Sequence, residues 1–494
     1  MRNKNRQNQW VIVIAFLLLL ASCDDRFAEI NTSPNDITDI PSEYLFANAV
    51  RQTFLSNTYL HFTFGGQYSH MYVGINDSRY IDSYFDHFTG AEYRYVFENI
   101  YHGPIRNINQ VILLTESGGM QENAVQHAMA QIVASVSFLR LTDGYGSIPY
   151  EEGGYGQKDI LYPEYNSVEA IYTSLMDQLK INMELLKTAQ AENAYPGADP
   201  LFSNDLSKWV RFANSLRLRM AMRIRFVAPQ AAAPIIQECL SQPLIEENSQ
   251  NAGLETQDSD IGEFQNPLYS SYNYWKWKMS QLLVDQLKAT NDPRLEVFVA
   301  PNSNGEFVGI PNGLSDSYFS EWDWAGTSNP SDMLVGRGAP IYYMSAAEIW
   351  LLRAEAALAG FVSGNANDYY QTGLRKALEQ WQVSPSQADE FLTSVNATLA
   401  GTEEQQLEQI CTQQWLACLP ETYEAWCNLR RTGYPKIAKR LAPIYEPGAS
   451  EGKLPKRFRY PAIETNINQA NYLKAIEEQG PDEITTPLWW DVRD

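Results

Sequence analysis

The chain has 494 residues, more than the ~250–300 at which a single hydrophobic core stops growing. It therefore holds two or three sub-domains or one large repeat-built body. Its 37 Lys and Arg against 59 Asp and Glu give a net charge of −22, which argues against a nucleic-acid binder, since that needs a basic footprint, and against charge-driven adhesion to anionic lipid.

The N-terminus carries Arg2, Lys4 and Arg6, then an apolar run from Val11 to Ala21. That run fits a signal-peptide core and is too short to span a bilayer, which takes ~20 apolar residues. It stops at Leu20-Ala21-Ser22-Cys23, followed at once by Asp24 and Asp25. Small residues in register before a cysteine resemble a bacterial lipobox, so residues 1–22 read as a lipoprotein signal peptide and Cys23 as the lipidated residue. Acyl chains partition at ~0.8 kcal/mol per buried CH₂, enough for several chains to anchor a soluble body. Cleavage before Cys23 removes three cations and leaves a net charge near −25.

Beyond the anchor, most of the sequence reads as amphipathic helices. Helices near 94–115 and 122–142 form one pair, the second ending at the Asp143-Gly144 turn. Helices 167–189 and 205–228 form another: Asn166 with Glu169 reads as a capping box, and Pro229 ends the pair. Ser345 with Glu348 opens a helix that closes on Gly360, and two more helices flank Pro420. Paired helices suggest a tetratricopeptide-like solenoid, with a plain helical bundle as the alternative. Two stretches break the helical texture: 62–92, rich in Gly, Tyr and Asp, and 250–340, rich in Asn, Gly, Pro, Ser and Trp. The second includes short strands at 295–300 and 306–310. Loops this long inside a compact body usually carry function.

Cofactor and metal chemistry find no motif. The five histidines form no HExxH pair, and no GxSxG, Walker loop or strand-borne GxGxxG occurs. Paired carboxylates leave a glycosidase open, because geometry decides that reaction. Asp258 and Asp260 fall short of a calcium loop. Cys411 and Cys418 lie about two helical turns apart, too far for a disulfide. Buried free thiols are the simpler reading of the last four cysteines, a Cys418–Cys427 bridge the other.

Aromatics in the polar loops are the binding candidates. A flat ring offers area to sugar C–H bonds at little entropic cost, while neighbouring amides and carboxylates take the hydroxyls. Tyr272, Tyr274, Trp275 and Trp277 fall within six residues, and Trp322 and Trp324 alternate likewise. In an extended chain Tyr272 and Tyr274 face one way, Trp275 and Trp277 the other. Tyr68, Tyr72, Tyr80 and Tyr84 decorate the early loop. For each, a place in the core is the competing role.

Taken in order, "FAEINTSPNDI", "LRLTDGYGSIPYEE", "KWVRFANSLRLRMAMR", "YYMSAAEIWLLRAEAAL", "EAWCNLRRTGYPK" and "LWWDV" resemble the SusD/RagB family, and more closely its SusD-like branch, along nearly the whole chain after Cys23. The resemblance implies a mainly α, helical-repeat domain over 23–494 with loop insertions near 62–92 and 250–340. It implies an outer-membrane lipoprotein that binds an oligomeric nutrient, usually glycan and sometimes peptide. It implies a SusC-like TonB-dependent barrel as partner, which the protein covers as a lid, with no catalysis. Asp24 and Asp25 resemble the export signal of such surface lipoproteins. The family's ligand face is built from the early loop and the segment before the later helices, which points to Tyr68, Tyr72, Tyr80, Tyr272, Tyr274, Trp275, Trp277, Trp322 and Trp324 as ligand-binding residues. A surface hydrolase and a scaffold that binds only its barrel are the alternatives.

Overall fold

The computed structural model describes residues 40–55, 59–74, 91–155, 160–445 and 448–493. Cys23, Asp24, Asp25, Tyr80 and Tyr84 lie outside the described residues. The chain divides into two units, Met1–Pro41 and Ser42–Asp494, and the second is described below.

Helices dominate it. The first half comprises α1 (Ser42–Leu55), α2 (Ala91–Ile100), α3 (Arg106–Thr115), α4 (Ala124–Tyr145), α5 (Val168–Leu186), α6 (Leu206–Arg223) and α7 (Pro229–Leu240). Past a loop-rich region containing α8 (Pro267–Trp275) and α9 (Gln281–Ala289) come α10 (Ala346–Leu358), α11 (Ala366–Gln380), α12 (Glu403–Ala417) and α13 (Thr422–Thr432). Each of α3 to α6 packs on its successor; α10 packs on α11 and α12, α12 on α13, and α10 also touches α6. Stacked neighbours of this kind make a tetratricopeptide-like helical scaffold.

Local signals explain where helices start. Asn123, Ser167, Asp205, Ser345 and Thr402 each accept backbone N–H bonds as N-caps, worth ~1 kcal/mol apiece. Several sequence expectations are corrected in detail. Ser167, not Asn166, caps α5; the Asn166 side chain instead accepts from the Tyr150 and Glu151 amides. Ser345 caps α10, but Glu348 turns away to Arg219 and completes no box. Helix α6 ends at Arg223, and Pro229 begins α7 at a position where its missing N–H costs nothing. Helix α4 runs through Asp143-Gly144 and stops at Gly146, with φ +92°. Gly144 serves close packing: a Cβ there would lie 2.8 Å from the Phe458 ring and 2.9 Å from the Tyr423 hydroxyl.

Strands are short pairs. They are β1 (Tyr72–Val73) with β5 (Lys278–Met279), β2 (Ile148–Pro149) with β3 (Tyr165–Asn166), β4 (Ala252–Leu254) with β8 (Ile341–Met344), and β6 (Val299–Ala300) with β7 (Asn329–Pro330), all antiparallel. Residues 294–298 are helical, so the expected strand at 295–300 shrinks to its last two residues. At 306–310 only Ile310 bridges, to Ser280.

Apolar faces are not all that the scaffold buries. Arg219 and Arg223 of α6 point inward to carboxylates of other helices. Arg219 makes a two-pronged pair with Glu348, both bonds 2.6 Å. Arg223 donates to Asp143 and Glu424. Glu355, fully buried, receives Arg431 at 2.5 and 2.8 Å, Arg225 at 2.7 Å and the Gln414 amide at 2.8 Å. Burial pushes the Glu355 carboxyl up, but Arg431 and Arg225 bring it down to about 2. Cys239, Cys411, Cys418 and Cys427 are buried free thiols. Burial raises Cys239, Cys411 and Cys427 to about 12, too high for thiolate reactivity near neutral pH.

Candidate functional site

The early loop and the late loops meet. Strand β1 pairs with β5 in the register Tyr72↔Met279 and Val73↔Lys278. The Ser280 amide donates to the Met71 carbonyl, and Ile310 and Gln281 exchange bonds with the β5 region. Asn312 Nδ2 reaches the Tyr72 carbonyl at 2.9 Å. Segments more than 200 residues apart in sequence are thus strapped by backbone bonds into one face.

On that face the candidate aromatics divide into two groups. Tyr68 is 1 % exposed, and Tyr72 and Trp277 are 0 % exposed. Tyr68 packs on Trp426 with centroids 5.3 Å apart. Trp277 joins Met71, Leu283 and Phe298 in the core beneath the loops, its indole N–H donating to Ser271 Oγ at 3.4 Å. A ring enclosed on both faces offers no platform, so the assignment of these three as ligand contacts is corrected: they hold the face in place. Tyr274 is 68 % exposed. Tyr272, Trp322 and Trp324 are half-buried, Trp322 and Trp324 resting on Val73, Ile310 and Leu314. Phe319 supports Trp324, ring centroids 4.6 Å apart. Trp275 closes α8.

The segment 272–277 is not extended, so the alternation that an extended chain would give does not apply. Asn266 caps α8 and Pro267 occupies its first turn, so Tyr272 and Tyr274 lie on a helix. Lys276 then takes a left-handed conformation, φ +55°, and turns the chain toward β5. Likewise the Trp324 amide bonds the Trp322 carbonyl at 3.0 Å, making a tight turn.

Other residues complete the surroundings. Arg337 lies over the Tyr269 ring at 5.2 Å and reaches Asp260 at 2.8 Å and Asp258 at 3.5 Å. Those two aspartates thus share a guanidinium at the surface. Tyr445, half-buried, rests on the same apolar patch as Trp322 and Trp324. Its segment, "APIYEPGAS", is an aromatic in Pro- and Gly-rich chain outside any helical period, the signal that could have found it. Beside it opens a cavity of about 260 Å³ lined by His70, Asn312, Lys436, Lys439, Arg440 and Tyr445, among others.

Two further clusters invite comparison. A cavity of about 690 Å³ is lined by Leu45, Phe97, Tyr101, Pro149, Pro163 and Ile463, with Glu98 and Glu464. None of the sequence's candidates lines it. The carboxylates of Glu348, buried, and Glu424, partly buried, lie at a void of only about 10 Å³ among Arg219, Arg223 and Arg431. That is room for one water at most, so these acids, each held by arginine, have no space for a sugar ring.

Together these features define a helical-repeat scaffold presenting a loop-built aromatic face. The chain belongs to the SusD-like family, whose model, described as starch-binding and associating with outer membrane, matches residues 34–461. Among solved structures it is similar to a chitin-binding protein at 25 % identity and a TM-score of 0.81, with 92 % of this chain and 100 % of that one covered. It is similar to a chitin-binding SusD homologue from Flavobacterium johnsoniae at 25 % identity and a TM-score of 0.77, covering 92 % and 99 %. A SusD homologue from Bacteroides uniformis gives 25 % identity and 0.78, again covering 92 % and 99 %. No curated protein matches it. Among the described residues no helix is long and apolar enough to cross a membrane.

Proposed function

We propose that the protein is a surface lipoprotein, lipidated at Cys23 and exported with the help of Asp24 and Asp25, that binds an oligomeric glycan and serves as the lid of a SusC-like TonB-dependent barrel in polysaccharide utilisation. The observation that carries the binding half is the part-exposed set Tyr272, Tyr274, Trp322 and Trp324 on a face strapped together by β1 and β5. Aromatic platforms on an open face suit an oligomer that runs past both ends of its site, whereas an enclosed cavity fits a compact ligand. The starch-binding family description and the chitin-binding neighbours support the glycan class. The sealed, arginine-held carboxylates support binding without hydrolysis.

The test is direct. Starch- and chitin-derived oligosaccharides and a peptide library are offered to the purified chain, with product analysis on the same samples. Retention of an oligosaccharide without new reducing ends is the expected result. Retention of peptides alone would move the ligand class, and turnover would make the protein a hydrolase. Co-purification with a barrel, and loss of outer-membrane retention in Cys23→Ala when that barrel is absent, test the partner and the anchor.

A further inference from the structure

The cavity of about 690 Å³ shares no lining residue with the aromatic face, and the glycan reading leaves it unused. Four stretches of chain build it: Leu45 on α1, the run from Phe97 to Gln110 across α2 and α3, the run from Pro149 to Pro163, and the short helix Ala462–Ile467. Hydrogen bonds tie these walls together. The Tyr101 hydroxyl donates to the Pro149 carbonyl at 2.6 Å, and the Tyr165 hydroxyl to Glu464 Oε2 at 2.6 Å. The Pro163 carbonyl receives the side-chain amides of Asn468 at 2.8 Å and Asn471 at 3.0 Å. Glycine lets the loop press on the start of α3: a Cβ on Gly154 would lie 2.6 Å from the Ile105 side chain and 2.9 Å from Asn109 Nδ2. The fold thus fixes the shape of the cavity, and its volume falls in the ~300–1,000 Å³ range of small-molecule pockets.

The lining defines what fits. Leu45, Phe97, Pro149, Pro163 and Ile463 present hydrocarbon, which suits a ligand with an apolar body. Phe97 and Tyr101 stand together, ring centroids 4.9 Å apart, and the faces of such rings attract a cation. Glu464, half-buried, lines the cavity too. One of its oxygens takes the Tyr165 hydroxyl, but a carboxylate has about four acceptor positions, so it keeps capacity for a ligand donor. Its charge reaches the Tyr101 ring: burial first, and Glu464 second, hold that phenol well above its ordinary pKa. Glu98 adds a second carboxylate, joined to Arg94 at 2.7 Å. Among the described lining residues the basic ones are His102 and Arg106, both exposed, where water weakens their field. At longer range the chain's net charge of −22 draws cations and repels anions.

We propose that this cavity is a second binding site, for a compact molecule with an aromatic or alicyclic body and one ammonium group. The body lies among Leu45, Phe97, Pro163 and Ile463, and the ammonium donates to Glu464 beside the Tyr101 ring. An ammonium gives Glu464 a charge-assisted bond, stronger than a neutral hydroxyl gives. A sugar would set several hydroxyls against hydrocarbon here, at a cost for each left unpaired. The site is therefore independent of the glycan reading and separates its ligands from glycans by polarity.

The experiment titrates the full mature chain at neutral pH with three probes of one skeleton, phenethylamine, 2-phenylethanol and 3-phenylpropionate, by ligand-observed NMR. Ethylamine, charged but ringless, controls for attraction to the acidic surface. The expected result is phenethylamine bound at least about tenfold tighter than the alcohol, with the carboxylate weaker still and ethylamine weaker than phenethylamine by a similar factor. Glu464→Gln keeps an acceptor for Tyr165 and removes the charge. It should melt like wild type and bring the amine to within about threefold of the alcohol. Ile463→Trp, filling the cavity from a half-buried position, should abolish binding of both. Trp322→Ala/Trp324→Ala should bind phenethylamine like wild type. Loss of amine binding in that variant would place the amine on the aromatic face and overturn the assignment. Saturation by none of the probes overturns the proposal and leaves glycan binding intact. So does ethylamine or the carboxylate binding as tightly as phenethylamine, an amine preference that survives Glu464→Gln, or amine binding that survives Ile463→Trp.

Discussion

Arg431 and Trp324 show two regions built on opposite rules. In the helical scaffold, charged side chains are buried and paired: Arg431 meets both oxygens of Glu355, the Gln414 side-chain oxygen and Asn428 within 3 Å. On the loop face, large apolar rings are left part-exposed, with Trp324 resting on a small apolar patch and open to solvent above it. A reader hunting for function through perturbed carboxylates arrives at the scaffold and finds packing. Exposed aromatics lead instead to the loops. Charge in the interior specifies how helices far apart in sequence dock; aromatic area at the surface is what remains for a ligand.

The largest effects should come from breaking the interior pairs. Arg431→Ala leaves Glu355 buried without its main partner and should lower stability by ~3–5 kcal/mol, read from denaturant midpoints, while the folded fraction still binds. Trp277→Ala should cost a similar ~3–5 kcal/mol, because its ring fills the core under the face. Trp324→Ala should behave differently: a much smaller stability change, with ~2 kcal/mol of affinity lost, roughly thirtyfold. Similar behaviour of the two tryptophan variants in both measurements would erase the distinction between core ring and exposed platform.

Acid should sharpen the contrast. The Glu355 pKa falls from 4.5 to about 2 on folding. Its contribution is therefore fully present above pH ~4.5 and is lost as pH falls toward 2. His70 adds the same sign higher up: lowered from 6.5 to about 3, it favours the unfolded chain increasingly below pH 6.5. Denaturation midpoints measured from pH 7 down to 3 should decline throughout, and Glu355→Gln should flatten the part below 4.5. A smaller effect is expected for Tyr101→Phe in the 690 Å³ cavity, which removes a 2.6 Å bond to the Pro149 carbonyl and should leave glycan affinity within about twofold.

Much of the scaffold was legible in sequence because helices declare themselves locally, through 3.6-residue periodicity and caps such as Ser345. The family's motifs gave the order of elements and the two loops that form the face. Which aromatics point outward was not legible. The alternation of Tyr272 to Trp277 holds only in an extended chain, and Asn266-Pro267 just before it is a helix-start signal. Core and surface roles for Tyr68, Tyr72 and Trp277 were set by partners hundreds of residues away, Trp426 against Tyr68 among them. The pairing of Arg140 with Glu421, 281 residues apart, leaves no local trace, so the interior lattice could not be read before the fold.

The most direct test takes one preparation of the Trp322→Ala/Trp324→Ala variant and measures its denaturation midpoint and its affinity for the oligosaccharide that the wild-type chain retains. The account predicts a midpoint close to wild type and affinity reduced by at least about thirtyfold, the size expected for loss of one aromatic anchor. Wild-type affinity, or loss of binding that appears only together with unfolding, would contradict it.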